Sequence, residues 1–126
     1  MTGPMRLLLV EDDPANQLTL RALLEDEGFQ VDAVGTCREA RVTLASGCPY
    51  GAIVVDHHLP DGSGLDLVRP LWNSEERPAI LLHTGDAPVT TEVLWDAVFI
   101  KGVPFHSMME QLHLALERRL RRSVRG

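Results

Sequence analysis

Short apolar runs alternating with segments of helical spacing restrict this chain more than any other feature. Leu7-Leu8-Leu9-Val10, Ala52 to Val55 and Pro78 to His83 are almost continuously apolar, the mark of strands buried on both faces of a parallel sheet. Gln30 to Val34 alternates less cleanly and reads as an edge strand, and Val98 to Lys101 reads as a fifth. Helices are expected between them. One runs from Asn16 to Glu27, with Leu18, Ala22 and Leu23 on its inner face and Gly28 at its stop. A second starts at Thr36, a capping residue, and runs to about Ala45. A third starts at Ser63 and carries Leu65, Val68 and Leu71 inward, although Pro70 must kink or end it early. Pro88 to Trp95 supports two turns at best. Ser107-Met108-Met109-Glu110 reads as a capping box for a last helix, with Met108, Leu112, Ala115 or Leu116, and Leu120 buried. This alternation predicts an α/β fold, a five-stranded parallel sheet with about five helices, the fourth of them short. A length of 126 residues suits one domain spanning 1–126.

Ligands of such sheets bind outside the carboxyl ends of the strands, near the point where strand order reverses. Glu11-Asp12-Asp13 follows the first strand, Asp56 the third, and Thr84 the fourth. Carboxylates gathered at one sheet edge repel one another unless a hard cation sits among them. A buried charge at the mouth of a Gly/Pro loop is costly, and such groups cluster at functional sites. Bland readings stand beside these. Asp13 before Pro14 suits a helix N-cap, and Asp61 beside Gly62 suits a turn. His57, His58 and His83 lack the spacing of a zinc site. Thr84 has a plain alternative as a strand-end hydroxyl, and Trp72 and Trp95 read as packing residues.

The net charge of −6 and an isoelectric point near 5.2 speak against nucleic acid as a direct partner. The basic tail from Glu117 to Arg125 reads as a solvated helix end whose cations suit the helix dipole. Cys37 and Cys48 form no metal or redox spacing. No leader or membrane-spanning run is present in the sequence, so no membrane is expected and a reduced cytoplasmic location is.

Together these motifs resemble the phosphoacceptor site of response-regulator receiver domains of two-component signalling, almost end to end. Leu8-Leu9-Val10-Glu11-Asp12-Asp13 is similar to the family's acidic pair. Ile53-Val54-Val55-Asp56 with Leu59-Pro60-Asp61-Gly62-Ser63-Gly64-Leu65 is similar to its phosphorylated aspartate and following loop. Leu81-Leu82-His83-Thr84-Gly85 resembles the switch hydroxyl, and Lys101 with Pro104-Phe105 resembles the Lys-Pro-Phe segment. The resemblance implies a flavodoxin-like doubly wound sheet and an Asp56 nucleophile that takes a phosphoryl group from a histidine kinase or histidine phosphotransfer protein. It implies Mg²⁺ held by Asp12, Asp56 and the His58 backbone carbonyl, with Glu11 acting through water. Thr84 and Lys101 would each bind a phosphoryl oxygen, and movement of Thr84 would switch a surface read by a downstream protein or an attached effector domain. No effector fits within this length. A receiver catalyses its own phosphorylation and dephosphorylation but is not an enzyme acting on an external substrate. His58 and Asp86 lie where a hydrolytic water would approach.

The C-terminal third departs from the family. Lys101 follows Thr84 by seventeen positions, fewer than most receivers use, at the expense of the fourth helix. Val103, not Lys101, directly precedes Pro104, and a cis bond there is left open. Residues two apart on a strand share a face, and Gly102 permits a bulge, so Lys101 has a route to the site. These departures motivate an alternative, a pseudo-receiver that works as a phosphorylation-independent interaction module. A small metal-dependent phosphohydrolase fits the same carboxylates, but the chain offers no substrate cap.

Overall fold

The computed structural model describes residues 4–87 and 92–125, with side chains to 120. Strand β1 (Arg6–Val10) leads into helix α1 (Pro14–Asp26), followed by β2 (Gln30–Val34), α2 (Cys37–Ala45) and β3 (Ala52–Asp56). A ribbon of two short strands, β4 (His58–Leu59) and β5 (Gly62–Ser63), precedes α3 (Gly64–Trp72), β6 (Ala79–Thr84), β7 (Ala97–Ile100) and α4 (Phe105–Arg125). Five strands form one sheet in the order β2-β1-β3-β6-β7, and every neighbouring pair is parallel. This is the doubly wound arrangement expected, with β1 and β3 flanking the reversal point.

The two faces of the sheet bury alternate residues of the same strands. Leu7, Leu9, Val54, Leu81 and Phe99 pack with Leu24 of α1 and with Met108 and Leu112 of α4. Leu8, Val10, Ile53, Val55, Ile80 and Leu82 pack with Cys37 and Ala40 of α2 and Leu65 and Val68 of α3. Burial of both faces is what makes the strand sequences continuously apolar. Each fully buried Leu, Ile or Val contributes about 1.5–3 kcal/mol.

Several expectations need correction. Helix α1 turns Leu20 and Leu24 toward the core, whereas Leu18 is 70% exposed and Leu23 37%. The pair that packs is four apart, one helical turn, and the choice between the Leu20/Leu24 and Leu18/Ala22 faces depends on the sheet beneath. Pro70 lies inside α3 without ending it. The hydrogen bond it forfeits is the one to the carbonyl of Asp66, four residues earlier, and both residues lie on the exposed face of the helix. Helix α4 starts at Phe105, so Ser107 is inside it rather than capping it, and Leu120 is 60% exposed while Ala115 is buried.

Four α-helices occur among the described residues, not five. Of the expected fourth helix, positions 88–91 lie outside the described residues, and 92–95 are not helical. The far end of this crossover is held by a buried ion pair. Arg77 Nη1 and Nη2 donate to Asp96 Oδ2 and Oδ1 at 2.7 and 3.0 Å, and the Ile80 amide donates to Asp96 Oδ2 at 2.8 Å. The Arg77 guanidinium also lies 3.9 Å above the Trp72 ring, so Trp72 is a packing residue as expected. From α4, Arg118 donates to the Asp96 carbonyl and Arg119 Nε to the Arg77 carbonyl at 3.4 Å. These two arginines are therefore anchored to the segments leading into β6 and β7, not merely solvated. No described helix is long and apolar enough to cross a membrane.

Candidate functional site

Strands β1 and β3 run side by side in register, Val10 opposite Val55, so the residues that follow them arrive together. Glu11 is 1% exposed and Asp56 4%, whereas Asp12 is exposed. One carboxylate oxygen from each of Glu11, Asp12 and Asp56 lies within 4.8 Å of the others. It is the one grouping of three or more acidic, His or Cys residues with metal-ligand geometry among the described residues. The rings of His57 and His58 stack on each other with centroids 4.3 Å apart.

Local bonds fix each carboxylate. Glu11 Oε2 accepts from the Asp13 amide at 3.1 Å, and Gln17 Nε2 donates to the Glu11 carbonyl at 2.9 Å. Asp13 itself caps α1 by accepting from the Ala15 amide at 3.1 Å, with Pro14 in the first turn. Asp56 Oδ1 accepts from the His58 amide at 3.2 Å. Gly64 packs against the Asp56 backbone, where an added Cβ would strike the Asp56 carbonyl and come within 2.8 Å of Val55 Cγ2. Only glycine lets the loop close this tightly.

Lys101 reaches the cluster. Its Nζ lies 2.7 Å from Asp56 Oδ2 and 3.6 Å from Glu11 Oε1. Strand β7 ends at Ile100, one residue short of the expected boundary, and a turn carries Lys101 over the strand ends, with Gly102 at φ +98°. The route is a turn rather than a bulge, and a positive φ favours glycine there. No cis peptide bond occurs among the described residues. Thr84 is buried at the end of β6, where its hydroxyl donates to the Asp86 carbonyl at 2.9 Å, and its own carbonyl accepts from the Lys101 amide at 2.8 Å.

The electrostatics follow from this crowding. Burial pushes the Glu11 carboxyl above its usual range, against the opposing pull of the Asp13 amide and of Lys101. Burial opposes the charge on Lys101, but the hydrogen bond to Asp56 and the charges of Asp56 and Glu11 outweigh it and raise its pKa. Glu11 Oε1 is buried with no hydrogen-bond partner. Oxygen donors only, one of them an unsatisfied buried carboxylate oxygen, fit a hard divalent cation.

Two neighbours were not assigned to the site from the sequence. His83, opposite Asp56 in the ladder, puts Nδ1 3.9 Å from Glu11 Oε1. Burial and then the charge of Lys101 bring its pKa down to about 4, so it is neutral near pH 7. Its place inside β6 is visible in the sequence; its nearness to Glu11 requires the strand order. Asp61 is more than a turn residue, because its two oxygens accept from the Cys37 and Arg38 amides of α2. No local spacing signals a bond between positions so far apart.

Residues 7–97 match the model of the response regulator receiver domain. The chain belongs to this family. It is 33% identical over 122 residues to the cell cycle transcriptional regulator CtrA of Caulobacter vibrioides, covering 90% of this chain and 51% of CtrA. It is 38% identical over 90 residues to the sensor protein TorS of Escherichia coli, covering 71% of this chain and 10% of TorS. The receiver thus spans about half the length of CtrA and a small part of TorS. Among solved structures, a CheY-like response regulator receiver domain from Methylobacillus flagellatus is 30% identical with a TM-score of 0.78, covering 90% of this chain and 99% of that one. This receiver therefore carries a two-component signalling fold with an acidic cluster able to hold a metal ion.

Proposed function

We propose that this receiver accepts a phosphoryl group on Asp56 from a phosphohistidine donor, a histidine kinase or histidine phosphotransfer protein, and thereby switches a protein-interaction surface. The observation that carries the reading is the buried Asp56 carboxylate, bonded to Lys101 and flanked by Glu11 and Asp12, in a chain of this family.

An Asp56 oxygen attacks phosphorus in line as the P–N bond to the donor imidazole breaks. The leaving nitrogen takes up a proton, and the product is an aspartyl phosphate. Asp56 Oδ1 is oriented by the His58 amide, which directs the carboxylate without neutralising it. Lys101, already on Oδ2, is placed to pair with a phosphoryl oxygen as charge develops. Glu11, Asp12, Asp56 and the His58 carbonyl are the groups that would hold Mg²⁺, which when bound supplies positive charge to the phosphoryl oxygens. Thr84 gives its hydroxyl to the Asp86 carbonyl here; redirecting it to a phosphoryl oxygen would move the β6–α4 edge, where a downstream protein or attached effector domain would read the change. The reading places the domain in the cytoplasm, where its free thiols Cys37 and Cys48 stay reduced.

Intact-protein mass spectrometry tests this after incubation with Mg²⁺ and a small acyl-phosphate donor, then with phosphohistidine donors. One phosphoryl increment is expected on wild type, none without Mg²⁺ and none on Asp56→Asn. Persistent silence with every donor would refute the reading in favour of a phosphorylation-independent interaction module.

A further inference from the structure

We infer that Asp61 is a positioning residue, a latch that fastens the loop after Asp56 to helix α2 and so holds the His58 carbonyl where a divalent cation can use it. The inference rests on the phosphoacceptor reading above and adds to it a residue outside the acidic cluster.

The first four amides of α2 all have partners, and from two directions. Asp61 Oδ1 accepts from the Cys37 amide at 2.8 Å and Oδ2 from the Arg38 amide at 2.9 Å. Thr36 Oγ1 accepts from the Glu39 amide at 3.0 Å, and the Thr36 carbonyl from the Ala40 amide at 3.1 Å. A helix normally finds its capping side chain in the residues just before it. Here two of the first three amides are satisfied from the loop that follows β3. Those two bonds hold the Asp61 carboxyl below its usual range.

The same loop is short and stiff. His58 pairs with Ser63 and Leu59 with Gly62 in the β4–β5 ribbon, and the Gly64 amide donates to the His57 carbonyl at 2.9 Å. The Cys37 thiol faces the Ser63 carbonyl at 3.7 Å. The ribbon is therefore anchored at its base by Asp56 and Gly64 and at its tip by Asp61. His58 sits between the two anchors. A two-strand ribbon of this size has little stability alone, so the tip anchor is what limits its rocking.

The test uses Mn²⁺ as probe, since its oxygen preference matches that of Mg²⁺ and its free form is read by electron paramagnetic resonance. Asp61→Ala removes both tip bonds, and Thr36→Ala removes a capping bond from the same helix end without touching the loop. Asp61→Ala is expected to weaken Mn²⁺ binding by about tenfold, while Thr36→Ala stays within about twofold of wild type. Equal losses in the two variants, or unchanged binding in Asp61→Ala, would overturn the latch. Should Asp61→Ala fail to fold, Asp61→Asn, which keeps one acceptor, carries the same comparison with an expected loss of about threefold. A wild type that binds no Mn²⁺ refutes the phosphoacceptor reading itself, whereas wild-type binding with an unmoved Asp61 variant refutes the latch alone.

Discussion

Replacing Glu11 by Gln sets stability against metal binding, and the structure gives the size of both effects. In the metal-free protein Glu11 faces two other carboxylates, with ligand atoms no more than 4.8 Å apart. At an effective dielectric of about 20, each ionised neighbour at that separation repels Glu11 by roughly 3.5 kcal/mol. Lys101, 3.6 Å away, returns about 4.6 kcal/mol on the same scale. Asp12 is exposed, so screening trims its share, leaving Glu11 net repelled by about 1–2 kcal/mol. Burial acts in the same direction. Glu11→Gln should therefore stabilise the metal-free protein by about 1–2 kcal/mol near pH 7, its carbonyl keeping the bond to the Asp13 amide. With Mg²⁺ at ten times its dissociation constant, wild type should gain about 1.4 kcal/mol and the variant distinctly less. The pH dependence has a definite sign. A carboxyl raised on folding binds its proton more tightly in the native state, so its contribution is fully present below its unfolded pKa and declines as pH rises through the folded one. The advantage of the variant should thus grow from about pH 4.5 toward neutrality. Urea unfolding in chelator and in Mg²⁺, at several pH values, measures all of this. A metal-free variant less stable than wild type by about 1 kcal/mol, or one that gains as much from Mg²⁺ as wild type does, would refute the reasoning.

His83 is brought down to about 4 from 6.5 by burial and by Lys101, so it folds neutral and must gain a proton on unfolding in acid. Wild type should lose on the order of 3 kcal/mol between about pH 6.5 and 4 that His83→Leu keeps, as read from urea midpoints across that window. Asp96→Ala leaves the Arg77 guanidinium buried without its bidentate partner, and denaturant unfolding should show a loss of about 3–5 kcal/mol. A loss below about 1 kcal/mol would mean that the crossover is held by something other than this pair.

Strand positions were legible because both sheet faces are buried, which leaves an unmistakable signature in Leu7 to Val10, Ala52 to Val55 and Ala79 to Leu82. The caps at Asp13, Thr36 and Ser63 were legible because capping is local chemistry. Meeting of Glu11, Asp12 and Asp56 followed from parallel neighbours ending together. What the sequence did not reveal depends on tertiary choice. Leu18 and Leu24 are equally apolar, and only the sheet under α1 selects between them. Pro70 reads as a breaker until it is found within α3 on the exposed face of that helix. The reach of Lys101 turned on where β7 stops and on one left-handed glycine. Asp61 and Asp96 bond to partners remote in the chain, at Cys37 and Arg77, beyond any local pattern.

The bond from the Lys101 amide to the Thr84 carbonyl ties two strand ends together mechanically. Thr84 and Ile100 are ladder partners, so the hydroxyl end of β6 and the ammonium end of β7 are riveted at their last rung. Neither can be displaced far without dragging the other or shearing that rung. The pair therefore behaves as a single lever with one stiff coordinate, whose short arm rests on Asp56 and whose long arm is the outer edge of the sheet.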